Sequence, residues 1–190
     1  MQDIRQSDNP NAVAPAPGTC AGRLPWPGLP TIFGETRVAR TDRGSTVSVF
    51  VPRTEYALRF RYFCHGCALG TFQLHGYTPY SGRPMMTVLN DEWQRVGNPT
   101  VGDIAVWFEA GGQHAGMPFH SARVEVWAGG DTPMQSANPP MILSSKNGPN
   151  PLETRARLDQ IDVAYTSGAT PEIRFYTRRS GGVSLPYLPE

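Results

Sequence analysis

The sequence predicts an α+β domain in which one short helix is followed by a meandering antiparallel sheet. Three observations carry the prediction. Residues 64–75 place apolar side chains at 64, 67, 68, 69, 72 and 74, a spacing that suits a helix better than a strand. Beyond Gly102 the texture changes to short alternating runs at 103–108, 120–127 and 140–145, with a further run at 172–177. The 20 Gly and 19 Pro cluster between these runs, so consecutive antiparallel pairing is the economical topology.

The chain has 190 residues, enough for one domain with a proper core. Residues 1–35 are rich in Pro, Gly, Asn and Ala and read as an extended N-terminal arm, with Trp26 available to pin it. Residues 36–190 are expected to form the one folded domain. Strands are expected at 45–51 (Ser-Thr-Val-Ser-Val-Phe-Val) and 56–63, the second leading straight into Cys64. Gly66 and Gly70 weaken the helix, each at a cost of up to about 1 kcal/mol. A turn-rich link at 77–82 precedes a helical turn or two at 88–96.

Charge excludes one large class of function. There are 17 basic residues against 16 acidic ones, and Lys146 is the only lysine. Without a basic block, the electrostatic footprint of a nucleic-acid binder is missing. No apolar run reaches the roughly 18 residues of a membrane span. The first residues lack a basic start followed by an apolar stretch, so no secretory signal is expected. Three cysteines, Cys20, Cys64 and Cys67, do not make a disulfide framework.

The chemistry concentrates in Phe63-Cys64-His65-Gly66-Cys67. A thiol at the first turn of a helix meets unpaired backbone N–H groups, which favour the thiolate. The same groups can receive the oxyanion of a tetrahedral intermediate. Such a nucleophile needs a base, and His120 opens an alternating strand just after a Gly/Pro-rich loop. A third group holds the imidazole in the right tautomer. Ser145 and Asn147 offer themselves on one side of the next strand.

These residues resemble the NlpC-like and CHAP-like cysteine hydrolases of the papain-like superfamily. The family pattern has an aromatic residue before the Cys, then a small or polar residue, Gly and apolar helix residues. It continues with a Gly-Asp strand, matched by Gly102-Asp103, and a His heading a strand, matched by His120. Ser145 and Asn147 stand where an acidic or polar residue and an Asn follow. The resemblance covers about residues 56–177. Two departures are plain: His65 replaces the usual Ser, and Ser145 replaces the acid of the CHAP group, which leaves Asn147 as the first choice for orienting His120.

The resemblance implies a papain-like fold with a nucleophile-bearing helix packed on an antiparallel sheet. It implies a cysteine peptidase or amidase that needs no cofactor and no metal. The substrate is a peptidoglycan peptide or its amide link to the sugar, or else a cytosolic protein. Delivery by a dedicated secretion system to the periplasm of a target cell fits a toxin, with an immunity protein as its partner. A binding module that lost the chemistry is the non-enzyme alternative.

Other readings of the same residues stay open. Cys64 and Cys67 form a Cys-x-x-Cys, the pattern of a redox dithiol. Zinc held by Cys64, Cys67, His114 and His120 is near structural-site spacing but with too long a connection. No His is followed by x-Glu, which sets aside a zinc deaminase. His65 and His75 read as helix-surface residues, His114 as the fallback base, and Asp103 as a turn former or site support. Trp93, Trp107 and Trp127 read as core or groove aromatics, and Arg155, Arg157, Arg178 and Arg179 as a solvated face.

Overall fold

The structure is a computed structural model that describes residues 9–13, 32–55, 63–71, 76–126, 141–146, 153–158, 160–161 and 171–179. Two sheets organise it. The first contains β1 (Asn9–Val13), β2 (Phe33–Arg40), β3 (Thr46–Pro52) and β4 (Thr78–Pro79), in that order and antiparallel throughout. The second runs β5 (Trp93–Val96), β10 (Glu172–Arg178), β6 (Ile104–Phe108), β7 (Pro118–Val126), β8 (Ile142–Lys146) and β9 (Glu153–Arg157), also antiparallel. Two α-helices are bounded among the described residues, α1 (Cys64–Leu69) and α2 (Arg83–Glu92).

β2 and β3 form a hairpin because Gly44, at φ +89°, takes a conformation few side chains tolerate, and its N–H bonds Thr41 O at 2.9 Å. Val47, Val49 and Ala39 then face inward, where they meet Ile104, Val106 and Phe108 of β6 and Met85, Val88 and Leu89 of α2. α2 starts after Gly82 with Pro84 in its first turn, and buries Met85, Val88, Leu89 and Glu92 at helical spacing. The opposite face of the second sheet carries another core, with Ala105, Trp107, Ala122, Val124, Leu143 and Phe175.

Gly34 is a point of close approach between β2 and β3. A Cβ there would run into the Val51 carbonyl oxygen and lie 2.5 Å from the Phe50 ring. Backbone cannot step aside, so Gly34→Ala is expected to cost about 1–3 kcal/mol, read as a lower urea midpoint. An unchanged midpoint would mean that β2 and β3 part easily at this point.

The papain-like α+β expectation is overturned. The described chain is mostly antiparallel strand in two sheets, and neither sheet closes. The helix that bears Cys64 has six residues and stops at Gly70, whose φ of 70° is left-handed and whose N–H returns to Cys67 O. The helix expected over 64–75 is thus interrupted at Gly70, and 72–75 lie outside the described residues. The helical turn expected at 88–96 lies earlier: α2 ends at Glu92, and Trp93–Val96 pairs with β10 instead. β2, β4 and β9 are not expected as strands: Gly-Glu-Thr-Arg and Glu-Thr-Arg-Ala-Arg show no apolar alternation, and Thr78–Pro79 sits in a turn-rich link. The expected arm, 1–35, carries β1 and the start of β2. The expected strand at 56–63 lies outside the described residues except for Phe63.

Candidate active site

α1 begins where the chain is anchored by Phe63. That residue is extended, at φ −128° and ψ 175°, and its ring packs edge-on against Phe50 at 5.7 Å. Its carbonyl takes the N–H of Cys67 at 2.9 Å, which opens the helix at Cys64. Cys64 is half-buried and Cys67 buried, and neither is in a disulfide. A helix of six residues has little dipole to lend the sulfur, so activation falls mainly to a base.

His65 corrects the sequence reading. It is no surface residue but 2% exposed, locked between two hydroxyls. Its Nδ1 is 2.8 Å from Ser121 Oγ on β7, and its Nε2 is 3.0 Å from Ser81 Oγ before α2. A neutral imidazole satisfies both, donating through one nitrogen and accepting through the other. Burial pushes its pKa down to about 3. The residue after Cys64 therefore ties the start of α1 to β7.

His120 sits two residues into β7, just past a bulge. Trp107 pairs with His120 and Phe108 with Pro118, so Phe119 is the extra residue. The His120 ring stacks edge-on against Trp107 at 5.0 Å, and its Nε2 is 2.8 Å from Ser145 Oγ on β8. The imidazole is 1% exposed and is held well below its ordinary pKa, first by burial and then by repulsion from His65.

Alternation along β7 sorts the two histidines onto different faces. Ser121, which binds His65, pairs with Val106 in the core shared with Ala68 and Leu69 of α1. His120 pairs with Trp107 in the other core. The structure thus brings His120 and Ser145 together, and ties the residue after Cys64 to the residue after His120. The His120 ring itself lies on the face away from α1.

The remaining candidates divide cleanly. Asn147 lies outside the described residues, as do Cys20, Trp26, His75 and Trp127. Asp103 is a turn residue: its carboxylate accepts the Thr100 N–H at 2.7 Å, beside Gly102 at φ +96°. His114 is exposed in a turn between β6 and β7, its Nε2 3.1 Å from Gln113 Nε2. Trp93 and Trp107 are core. Arg155 and Arg157 are exposed on the edge strand β9, whereas Arg178 pairs with Asp42 and with the buried Glu92. Among the described residues, no three His, Cys, Asp or Glu gather in a group fit for a metal ion, and no helix is long and apolar enough to cross a membrane. The sequence reading missed Lys146, fully buried at the end of β8 next to Ser145. Its one available signal was being the single lysine among 17 basic residues.

No family model, curated protein or solved structure matches this chain.

Proposed function

We propose that the protein is a thiol hydrolase that cleaves an amide bond, with Cys64 as nucleophile and His120 as its base. The observation that supports it is the buried His120–Ser145 pair, set on the strand to which the start of α1 is tied. In this reading Nε2–H of His120 donates to Ser145 Oγ, and Nδ1 takes the thiol proton as sulfur attacks the carbonyl. The same proton passes to the leaving amine, and water then hydrolyses the acyl-enzyme. Ser145 takes the orienting role first expected of Asn147. A hydroxyl orients the ring without a full negative charge to stabilise the imidazolium, which fits a base that stays neutral at rest. Because the ring lies on the Trp107 face, away from α1, the reading requires the Cys64 sulfur to reach Nδ1 around the bulged start of β7.

The reading rests on side chains and not on a papain-like architecture. Peptidoglycan stem peptides are the proposed substrate, as the resemblance of the motifs to the NlpC-like and CHAP-like hydrolases implies, and the wall of a target cell the place of action. Cell-wall fragments digested with the protein are expected to show new amine and carboxyl ends by mass spectrometry, and Cys64→Ala to show none. Toxicity on export to the periplasm, but not in the cytoplasm, supports the wall; the reverse pattern moves the substrate to a cytosolic protein. One observation favours a second reading, a binding module without chemistry: the His120 ring is sealed and faces away from α1. Retention of wall fragments without new ends, equal in Cys64→Ala, would establish it.

A further inference from the structure

Cys64 and Cys67 differ in access although they share a helix. Cys64 is half-buried at the first position of α1, and Cys67, one turn on, is 1% exposed. Residues three apart on a helix lie on one face. Helix geometry sets their Cα atoms about 5 Å apart, inside the range a disulfide bridges. The Cys67 N–H already bonds Phe63 O at 2.9 Å, so the turn that holds both thiols is formed before any bond joins them. Among the described residues no third His, Cys, Asp or Glu joins the pair in a group fit for a metal ion; His65 between them is taken up by Ser81 and Ser121.

We infer that this pair is a peroxide-reactive modification site, with Cys64 as the attacking thiol and Cys67 as the resolving one. The Cys64 thiolate attacks one oxygen of a hydroperoxide, the O–O bond breaks, and a sulfenic acid forms while the other oxygen leaves as an alcohol or water. The Cys67 sulfur then attacks the sulfenic sulfur, forming the disulfide and releasing water. Two thiols lose two electrons and two protons, and the peroxide is reduced. The buried thiol shields the half-buried one from irreversible oxidation, because a sulfenic acid without a partner climbs to sulfinic and sulfonic acid. The inference holds whether or not Cys64 cuts an amide. If it does, the disulfide removes the nucleophile reversibly.

The test uses full-length protein carrying Cys20→Ser, so that only these two thiols remain, exposed to a slight excess of hydrogen peroxide. Intact mass is expected to fall by two hydrogens, iodoacetamide labelling to vanish at both sites, and dithiothreitol to restore both. Adding Cys67→Ser is expected to give instead a gain of two or three oxygens that dithiothreitol does not reverse. Peptide mapping of the Cys20→Ser protein, with the lost hydrogens inside the Cys64–Cys67 peptide, gives the same answer should Cys67→Ser fold poorly. Oxygen gain at Cys64 with Cys67 intact, or no mass change at all, would overturn the inference. Since the readout is mass, it is separate from any failure to hydrolyse wall peptides.

Discussion

Between pH 6 and pH 5 the protein is expected to lose stability at about 1.4 kcal/mol per pH unit for each imidazole that is buried neutral. His65 is the stronger case. Its folded pKa of about 3 lies below the 6.5 of the unfolded chain. Above pH 6.5 both states are neutral there and full stability is present. As pH falls, the unfolded state takes up a proton that the folded state refuses, and stability drains until the folded pKa is reached. By pH 4 the loss from His65 alone is about 3 kcal/mol, a large share of a domain's usual margin. His120, lowered by burial and by His65, acts in the same direction. Urea unfolding at half-unit pH steps measures the slope. His65→Asn is expected to flatten it, and proton uptake on unfolding of the native chain gives the same quantity should that variant fold poorly. A stability that stays level from pH 6 to pH 5 would show that the imidazole is hydrated, not clamped by Ser81 and Ser121.

How much of this was legible in the sequence depends on what each residue must do. The run 103–108 declared itself, because β6 is buried on both faces and so is apolar throughout. Cys64 as a helix start was legible from Phe63 and the apolar spacing after it. The hydroxyl partner of His120 was legible only as one of a pair, since alternation puts Ser145 and Asn147 on one side without choosing. The buried state of His65 was not legible: a polar residue on a short helix reads as surface unless its two serines are known, and they come from 16 and 56 residues away. The papain-like architecture failed for a similar reason. Polar strands such as β2 and β9 carry no apolar period, and their register with neighbours is a long-range fact. The bulge at Phe119, which decides the face on which His120 lies, has no local signature either.

His120→Ala is expected to lower amide hydrolysis about 10²–10⁴-fold, the usual worth of a positioned general base. Ser145→Ala removes one neutral hydrogen bond from the ring and is expected to cost about tenfold or less. The order of the two effects matters more than either size. A base that fails without its orienter only modestly, but completely without its ring, fits an imidazole also held by Trp107. Equal losses in both variants would point to a collapse of the second core instead, which circular dichroism and the urea midpoint would reveal.

The coupling of sulfur to imidazole is tested most directly by iodoacetamide alkylation of Cys64 against pH, resolved by peptide mapping, in the native chain and in His120→Ala. Burial, with repulsion from His65, keeps the His120 ring neutral; a thiolate brought beside it is the charge that would draw a proton onto it, so the two groups would titrate as a pair. The expected result is a Cys64 profile that begins below the ordinary thiol range near 8.5 and moves up by about one pH unit or more in His120→Ala. Superimposable profiles in the two proteins would contradict the account.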